Sequence, residues 1–325
     1  MQTQERKPPH EYEVTVERPE DFDGFWADIK REVERIPLEP SMDPVPLRST
    51  EEVETFEIGY NSLDGVRITG WYSRPRESYL QGPYPGLLLV PGYISEPTLP
   101  KSWAKLGYAA VGVAPRGKLR SNQQFNPGYP GLLTHNIIDR NTYSYRGFYI
   151  DAIRAVDFLL GRPEVDRSRI GVHGSSQGGA LTVVTAALRN DVITCGAAGA
   201  PYLAGFMDSA KLTHSNPYEE INDYLRMHPD HLDAVTETVS YFDCVNFAPL
   251  ISCPMLVYIG LEDDVCPPET GYALVNAMTN ADVTLHAHEH CAHDAGRHWE
   301  MEHVEAFLAE HLQPAGSGQA ETTIG

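Results

Sequence analysis

Short, unbroken apolar runs constrain this 325-residue chain more than any other feature. Gly86-Leu87-Leu88-Leu89-Val90 runs into Pro91-Gly92, Tyr108–Ala114 and Met255–Gly260 repeat the pattern, and Val192–Ala198, interrupted by Thr194, continues the strands. A strand with no polar side to turn toward water must be covered on both faces, the situation of a central parallel strand. Between and after these runs lie stretches with helical spacing: Phe148–Leu160, Gln177–Leu188, Glu269–Met278 and His298–His311. Strands alternating with helices predict a mostly parallel sheet with helices on both faces, an α/β fold. Ahead of them, Phe22, Phe25, Trp26, Ile29 and Val33 mark an amphipathic helix over Asp21–Arg35. Proline-rich residues 38–50 read as a crossing loop, and Val53–Ile58 and Val66–Tyr72 read as a hairpin about Leu63-Asp64-Gly65. Residues 201–250 interrupt the alternation with two helices, Tyr218–Met227 and His231–Phe242, as a cap-like insertion would. The organisation expected is a flexible N-terminus over 1–18, a single α/β domain over 19–312, and a disordered tail over 313–325.

Composition narrows the partners. Lys+Arg number 25 against 45 Asp+Glu, a formal net charge of −20. So acidic a surface repels phosphate backbones and anionic lipid, which argues against nucleic acid and membrane as partners. No run reaches the roughly 18–20 apolar residues of a membrane span. The polar start, Met1 to Lys7, leads into no signal-like apolar stretch, so a cytoplasmic location is expected. The five cysteines form no Cys-x-x-Cys pair and read as reduced, mostly buried thiols.

The chemistry centres on Gly174-Ser175-Ser176-Gln177-Gly178-Gly179, with a strand (Ile170–His173) before it and a helix after it. Gly-x-Ser-x-Gly alone is too common a string to carry a function. On a strand-to-helix turn it lifts a serine above the sheet and aims the next backbone N–H, that of Gln177, at a developing oxyanion. Ser176 is thus the expected nucleophile. Serine needs a histidine base oriented by a carboxylate, and on such a sheet the acid precedes the histidine late in the chain. The loop after Met255–Gly260 offers Asp263 and Asp264, with Glu262 a weaker candidate. The histidine belongs after the last strand, where His293 is the best-placed base and His290 and His298 are alternatives. His286, His288 and His290 alternate along that strand, a spacing that can also hold a divalent metal. A catalytic metal would leave the serine turn and the acidic loop without a purpose, so no metal and no cofactor are expected at the catalytic centre.

The chain resembles the acetyl xylan esterase and cephalosporin C deacetylase group, carbohydrate esterase family seven. The likeness runs from Phe22-Asp23-Gly24-Phe25-Trp26 to about Leu312. It includes Asn141–Gly147, Asp151–Asp157, Pro163–Ile170, the serine turn, Ser240–Ala248 and, most specifically, Gly260-Leu261-Glu262-Asp263-Asp264-Val265-Cys266-Pro267-Pro268. The resemblance implies an α/β-hydrolase fold and the triad Ser176, His293 and Asp263. It implies an oxyanion hole from the N–H groups of Gln177 and of Tyr93, in a matching Gly92-Tyr93 pair. It also implies a small acetylated substrate and a cytoplasmic homo-oligomer, with a hexamer the arrangement suggested. One stretch departs: where the family reads Arg-Gly-Gln-Gly-x-Ser, this chain has Arg116-Gly117-Lys118-Leu119-Arg120-Ser121. The expected activity is a serine esterase for acetyl esters of small carbohydrates. The rivals are a peptidase or acyl transferase with the same triad and, further off, a metal-dependent hydrolase using the His286–His293 cluster.

Overall fold

The computed structural model describes residues 8–314. Helix α1 (Phe22–Glu34) buries Phe22, Trp26, Ile29 and Val33, the stripe that its spacing predicts. Trp26 donates its indole N–H to the Tyr241 carbonyl at 2.9 Å, pinning the helix to the later insertion. The first strands are β1 (Ser41–Pro44), β2 (Val53–Asn61) and β3 (Arg67–Pro75), all antiparallel to their neighbours. β1 falls inside the stretch read as a crossing loop. It is a short edge strand ending in proline, and only its pairing with β2 makes it a strand.

The alternation then begins: β4 (Tyr84–Leu89), α2 (Lys101–Lys105), β5 (Ala109–Ala114), α3 (Ser144–Leu160), β6 (Val165–Ser175), α4 (Gln177–Leu188) and β7 (Ile193–Gly199). The insertion follows, with α5 (Phe206–Leu212), α6 (Glu219–Met227), α7 (Leu232–Ser240) and α8 (Cys244–Phe247). β8 (Met255–Gly260), α9 (Pro268–Ala277), β9 (Val283–His288) and α10 (Arg297–Leu312) close the chain. Among the described residues the strands form one sheet in the order β1-β2-β3-β5-β4-β6-β7-β8-β9. From β5 onward every pairing is parallel. Every residue of β4, β5 and β8 is buried, as their unbroken apolar runs require. One layer of core lies under α1, α3 and α4; the other gathers Leu87, Leu89, Trp103, Val304, Leu308 and Leu312 between the sheet, α2 and α10. This is the mixed α/β architecture expected of an α/β-hydrolase fold.

The two ends need separate treatment. Residues 1–7 and 315–325, where much of the flexible N-terminus and the tail was expected, lie outside the described residues. Residues 8–18, read as loose, are laid against the insertion: Tyr12 Oη reaches Asp208 at 3.1 Å, and the Thr15 N–H donates to Asp208 at 2.8 Å. Asp208 is buried, and a buried carboxylate demands donors. That demand is tertiary, so the polar composition of residues 8–18 does not show it.

Candidate active site

Parallel strands deliver their loops to one edge of the sheet, where binding sites of open α/β sheets lie. The turn from β6 to α4 holds Ser176 at φ +60°, ψ −123°, a conformation that costs a non-glycine residue about 1–3 kcal/mol. The fold maintains it by close packing. A Cβ at Gly174 or Gly178 would stand 2.6 or 2.4 Å from the Val90 carbonyl oxygen, so neither position admits a side chain. The Ser176 N–H is bound to the Gly199 carbonyl at 2.8 Å, which leaves the hydroxyl directed outward.

Ser176 Oγ lies 3.0 Å from His293 Nε2, and His293 Nδ1 lies 2.9 Å from Asp263 Oδ2. The other Asp263 oxygen accepts the N–H groups of Val265 and Cys266, both at 2.8 Å. Those two bonds fix the carboxylate, which in turn fixes the imidazole tautomer with Nδ1 protonated and Nε2 free to accept. Of the acids left open by sequence, Asp264 and Glu262 are exposed. Of the histidines, His298 is exposed, and His290 lies 3.3 Å from Glu262 on the surface. The loop carrying His293 packs directly on Gly260, where a Cβ would meet the Ala292 carbonyl at 2.0 Å. Cys266 sits beside the triad within reach of Ser176, and burial pushes its thiol well up, so it stays protonated.

The two expected oxyanion donors flank the nucleophile: Tyr93 lines the same cleft as Ser176, and Gln177 follows Ser176 in the chain. Gln177 opens α4, and Tyr145 donates its hydroxyl to the Gln177 side-chain oxygen at 2.7 Å. Among the described residues the backbone N–H groups of Gln177 and Tyr93 have no protein acceptor, as donors reserved for a ligand must. Tyr93 is anchored by its phenol, which donates to Glu220 of α6 at 2.8 Å and accepts from the Leu133 N–H at 3.0 Å. Burial holds that phenol far above its ordinary pKa and also raises Glu220.

Lys118, noted in the sequence only as a departure, is the site's least expected member. Its buried ammonium donates to the Gly92 carbonyl at 2.6 Å and to the Tyr93 carbonyl. It lies 5.1 Å from the centre of the Tyr129 ring. A cation bound to both carbonyls fixes the peptide planes of the loop that carries the Tyr93 N–H. The only signal in the sequence was position: residue 118 follows the C-terminal end of a central strand.

Two clefts meet over Ser176 and His293. One, of about 610 Å³, runs past Trp103, His173 and Tyr258. The other, of about 480 Å³, is bounded by Tyr93, Tyr129, Pro130 and Pro217. Both are of small-molecule size.

Residues 7–311 match the sequence model of a family described as acetyl xylan esterase (AXE1). The chain is 30% identical over 286 residues to acetyl esterase Axe7A of Xylanibacter ruminicola; the match covers 83% of this chain and 62% of the length of that curated relative. Among solved structures, acetyl xylan esterase from Paenibacillus sp. R4 superposes with a TM-score of 0.86 at 32% identity, covering 94% of this chain and 98% of that one. Acetyl xylan esterase 1 from Thermoanaerobacterium sp. JW/SL YS485 superposes with a TM-score of 0.84 at 25% identity, covering 92% and 96%.

Proposed function

The chain belongs to the acetyl xylan esterase family, and on that footing we propose that it is a serine esterase removing acetyl groups from small acetylated carbohydrates. The observation that carries the proposal is the continuous relay from Ser176 Oγ through His293 to Asp263, at 3.0 and 2.9 Å. His293 takes the hydroxyl proton as Ser176 attacks the acetyl carbonyl. The oxyanion forms against the N–H groups of Tyr93 and Gln177, donors each worth about 3–4 kcal/mol in the transition state. The tetrahedral intermediate collapses when His293 returns the proton to the departing sugar oxygen, leaving an acetyl ester on Ser176. Water, deprotonated by His293, then releases acetate and restores the serine. Asp263 holds the imidazole and stabilises its charged form throughout.

Acetyl esters of the cephalosporin C type belong to the same proposal, since both clefts are of small-molecule size. A cytoplasmic homo-oligomer is also proposed, on family likeness; a monomeric mass by light scattering would refute the oligomer. The decisive experiment compares wild type with Ser176→Ala on p-nitrophenyl acetate, acetylated oligosaccharides, longer acyl esters and the matching amides. The variant should bind substrate normally and lose at least about a thousandfold in kcat. Near-wild-type hydrolysis by Ser176→Ala rules out this nucleophile, and preference for amides rules out the esterase reading.

A further inference from the structure

Behind the loop that presents His293, three imidazoles converge on one buried carboxylate. β9 turns Val283 and Leu285 toward the core layer of α4 and α9, and His286 and His288 toward α10. There Glu300, 1% exposed, receives His286 Nδ1 at 2.8 Å and His288 Nε2 at 2.9 Å. His303, one turn further along α10, places its Nδ1 3.5 Å from the same carboxylate. His290, grouped with His286 and His288 by sequence alternation, is not a member. The strand ends at His288, and His290 turns out to solvent at φ +60°.

We propose that His286, Glu300 and His303 form a binding site for one divalent transition-metal ion of the zinc class, separate from the Ser176 centre, with His288 holding the Glu300 carboxylate in place. Four observations carry this. The first is the donor set, two imidazole nitrogens and one carboxylate with a fourth position open to water, which suits zinc and its neighbours and does not suit magnesium or calcium. The second is spacing. Ligands bound at about 2.0–2.1 Å in a tetrahedron stand about 3.3 Å apart, and His286 and His303 stand 2.8 and 3.5 Å from the carboxylate. The donor atoms of His286, Glu300 and His303 all lie within 4.8 Å of one another.

The third is charge. The cationic partners described for Glu300 are all imidazoles, which carry charge only when protonated. A dication would neutralise the buried carboxylate with every ring neutral. The fourth is room: Gly296, at φ +82°, leaves space that a Cβ would take from the His288 ring, 2.7 Å away. The strand supplies His286, with His288 on the same face to steady Glu300, and the helix supplies Glu-x-x-His at i, i+3, a known ligand spacing on helices.

Such an ion would join the end of β9 to the first turns of α10, the two ends of the loop over 289–296. It would therefore act as a clamp on the segment that aims His293 at Ser176, and take no part in the chemistry. The inference does not rest on the esterase reading, and its test reads metal directly.

The test is titration of chelator-treated, tag-free protein with cobalt(II), followed by zinc(II) calorimetry. The expected result is the visible spectrum of a tetrahedral nitrogen–oxygen cobalt site at one ion per chain. Zinc should bind with the same stoichiometry and raise the melting temperature. His303→Ala, at an exposed position whose loss leaves the fold in place, should weaken binding at least about tenfold and abolish the stabilisation. His290→Ala and His298→Ala should bind as wild type does. A second set of donors, Asp263, Cys266 and His293, also lies within 4.8 Å. A cobalt spectrum with thiolate bands, lost in Cys266→Ala and kept in His303→Ala, overturns the proposal. So does the absence of saturable binding, or equal affinity in His303→Ala.

Discussion

Lys118 directs its ammonium at two backbone carbonyls, those of Gly92 and Tyr93. Burial pushes it down from 10.5 to about 7, with Glu96 pulling the other way. Between those two values the unfolded chain binds the proton more than the folded one does. Stability from this residue therefore rises with pH across about 7 to 10.5, and below about 7 the cost of burying the charge is at its full size. Lys118→Met removes both donors and the titration. Its stability relative to wild type should fall as pH rises through that window, measured by urea unfolding at both ends; a constant difference would show that burial does not lower the pKa of this residue. The same variant should lose about tenfold in kcat, about 1.4 kcal/mol, because the Tyr93 N–H is no longer held. Residue types were legible here from local sequence and partners were not: Asp263, Asp264 and Glu262 are chemically similar, family likeness alone singled out Asp263, and burial with two backbone donors is the physical reason it differs from the others.

At the scale of elements, the loop after β5 is held by an ion pair that sequence could not reveal. Arg116 donates to Asp151 of α3 at 2.9 Å and to the Leu63 carbonyl at 2.9 Å, while Ser62 donates to Asp151 at 2.5 Å. Asp151 is fully buried, and a Cβ at Gly147, one helical turn earlier, would lie 2.0 Å from the guanidinium. The pair joins the β2–β3 turn, α3 and the segment that carries Lys118. Arg116→Met leaves that carboxylate buried and unpaired, which should cost about 3–5 kcal/mol, read as a shifted denaturation midpoint at unchanged slope. A shift within experimental error would mean that the carboxylate finds other donors. Helix and strand positions were largely legible, because periodicity and apolar runs are local. β1, α5 and α8 were not, since short elements owe their form to what they pack against.

Across the whole molecule the excess of acidic groups sets a field that every substrate meets. With a net charge of −20, an anionic acetyl ester is repelled on approach and a neutral one is not. Raising salt past about 0.1 M shortens the screening length to about 10 Å. The KM of an anionic acetyl ester should therefore fall with ionic strength while that of p-nitrophenyl acetate stays level; parallel responses would show that the field does not reach the clefts. By itself the sequence determined the layered α/β sheet, the serine turn and the order of nucleophile, acid and base, since each is written in local pattern or in succession along the chain. Local pattern left several carboxylates and histidines open and family likeness pointed to Asp263 and His293; only the tertiary structure shows the contacts that join them to the serine, that Lys118 lies under the oxyanion loop, and that His303 replaces His290 beside His286 and His288. Those outcomes depend on distances between residues far apart in the chain, and such distances exist only once sheet and helices have packed.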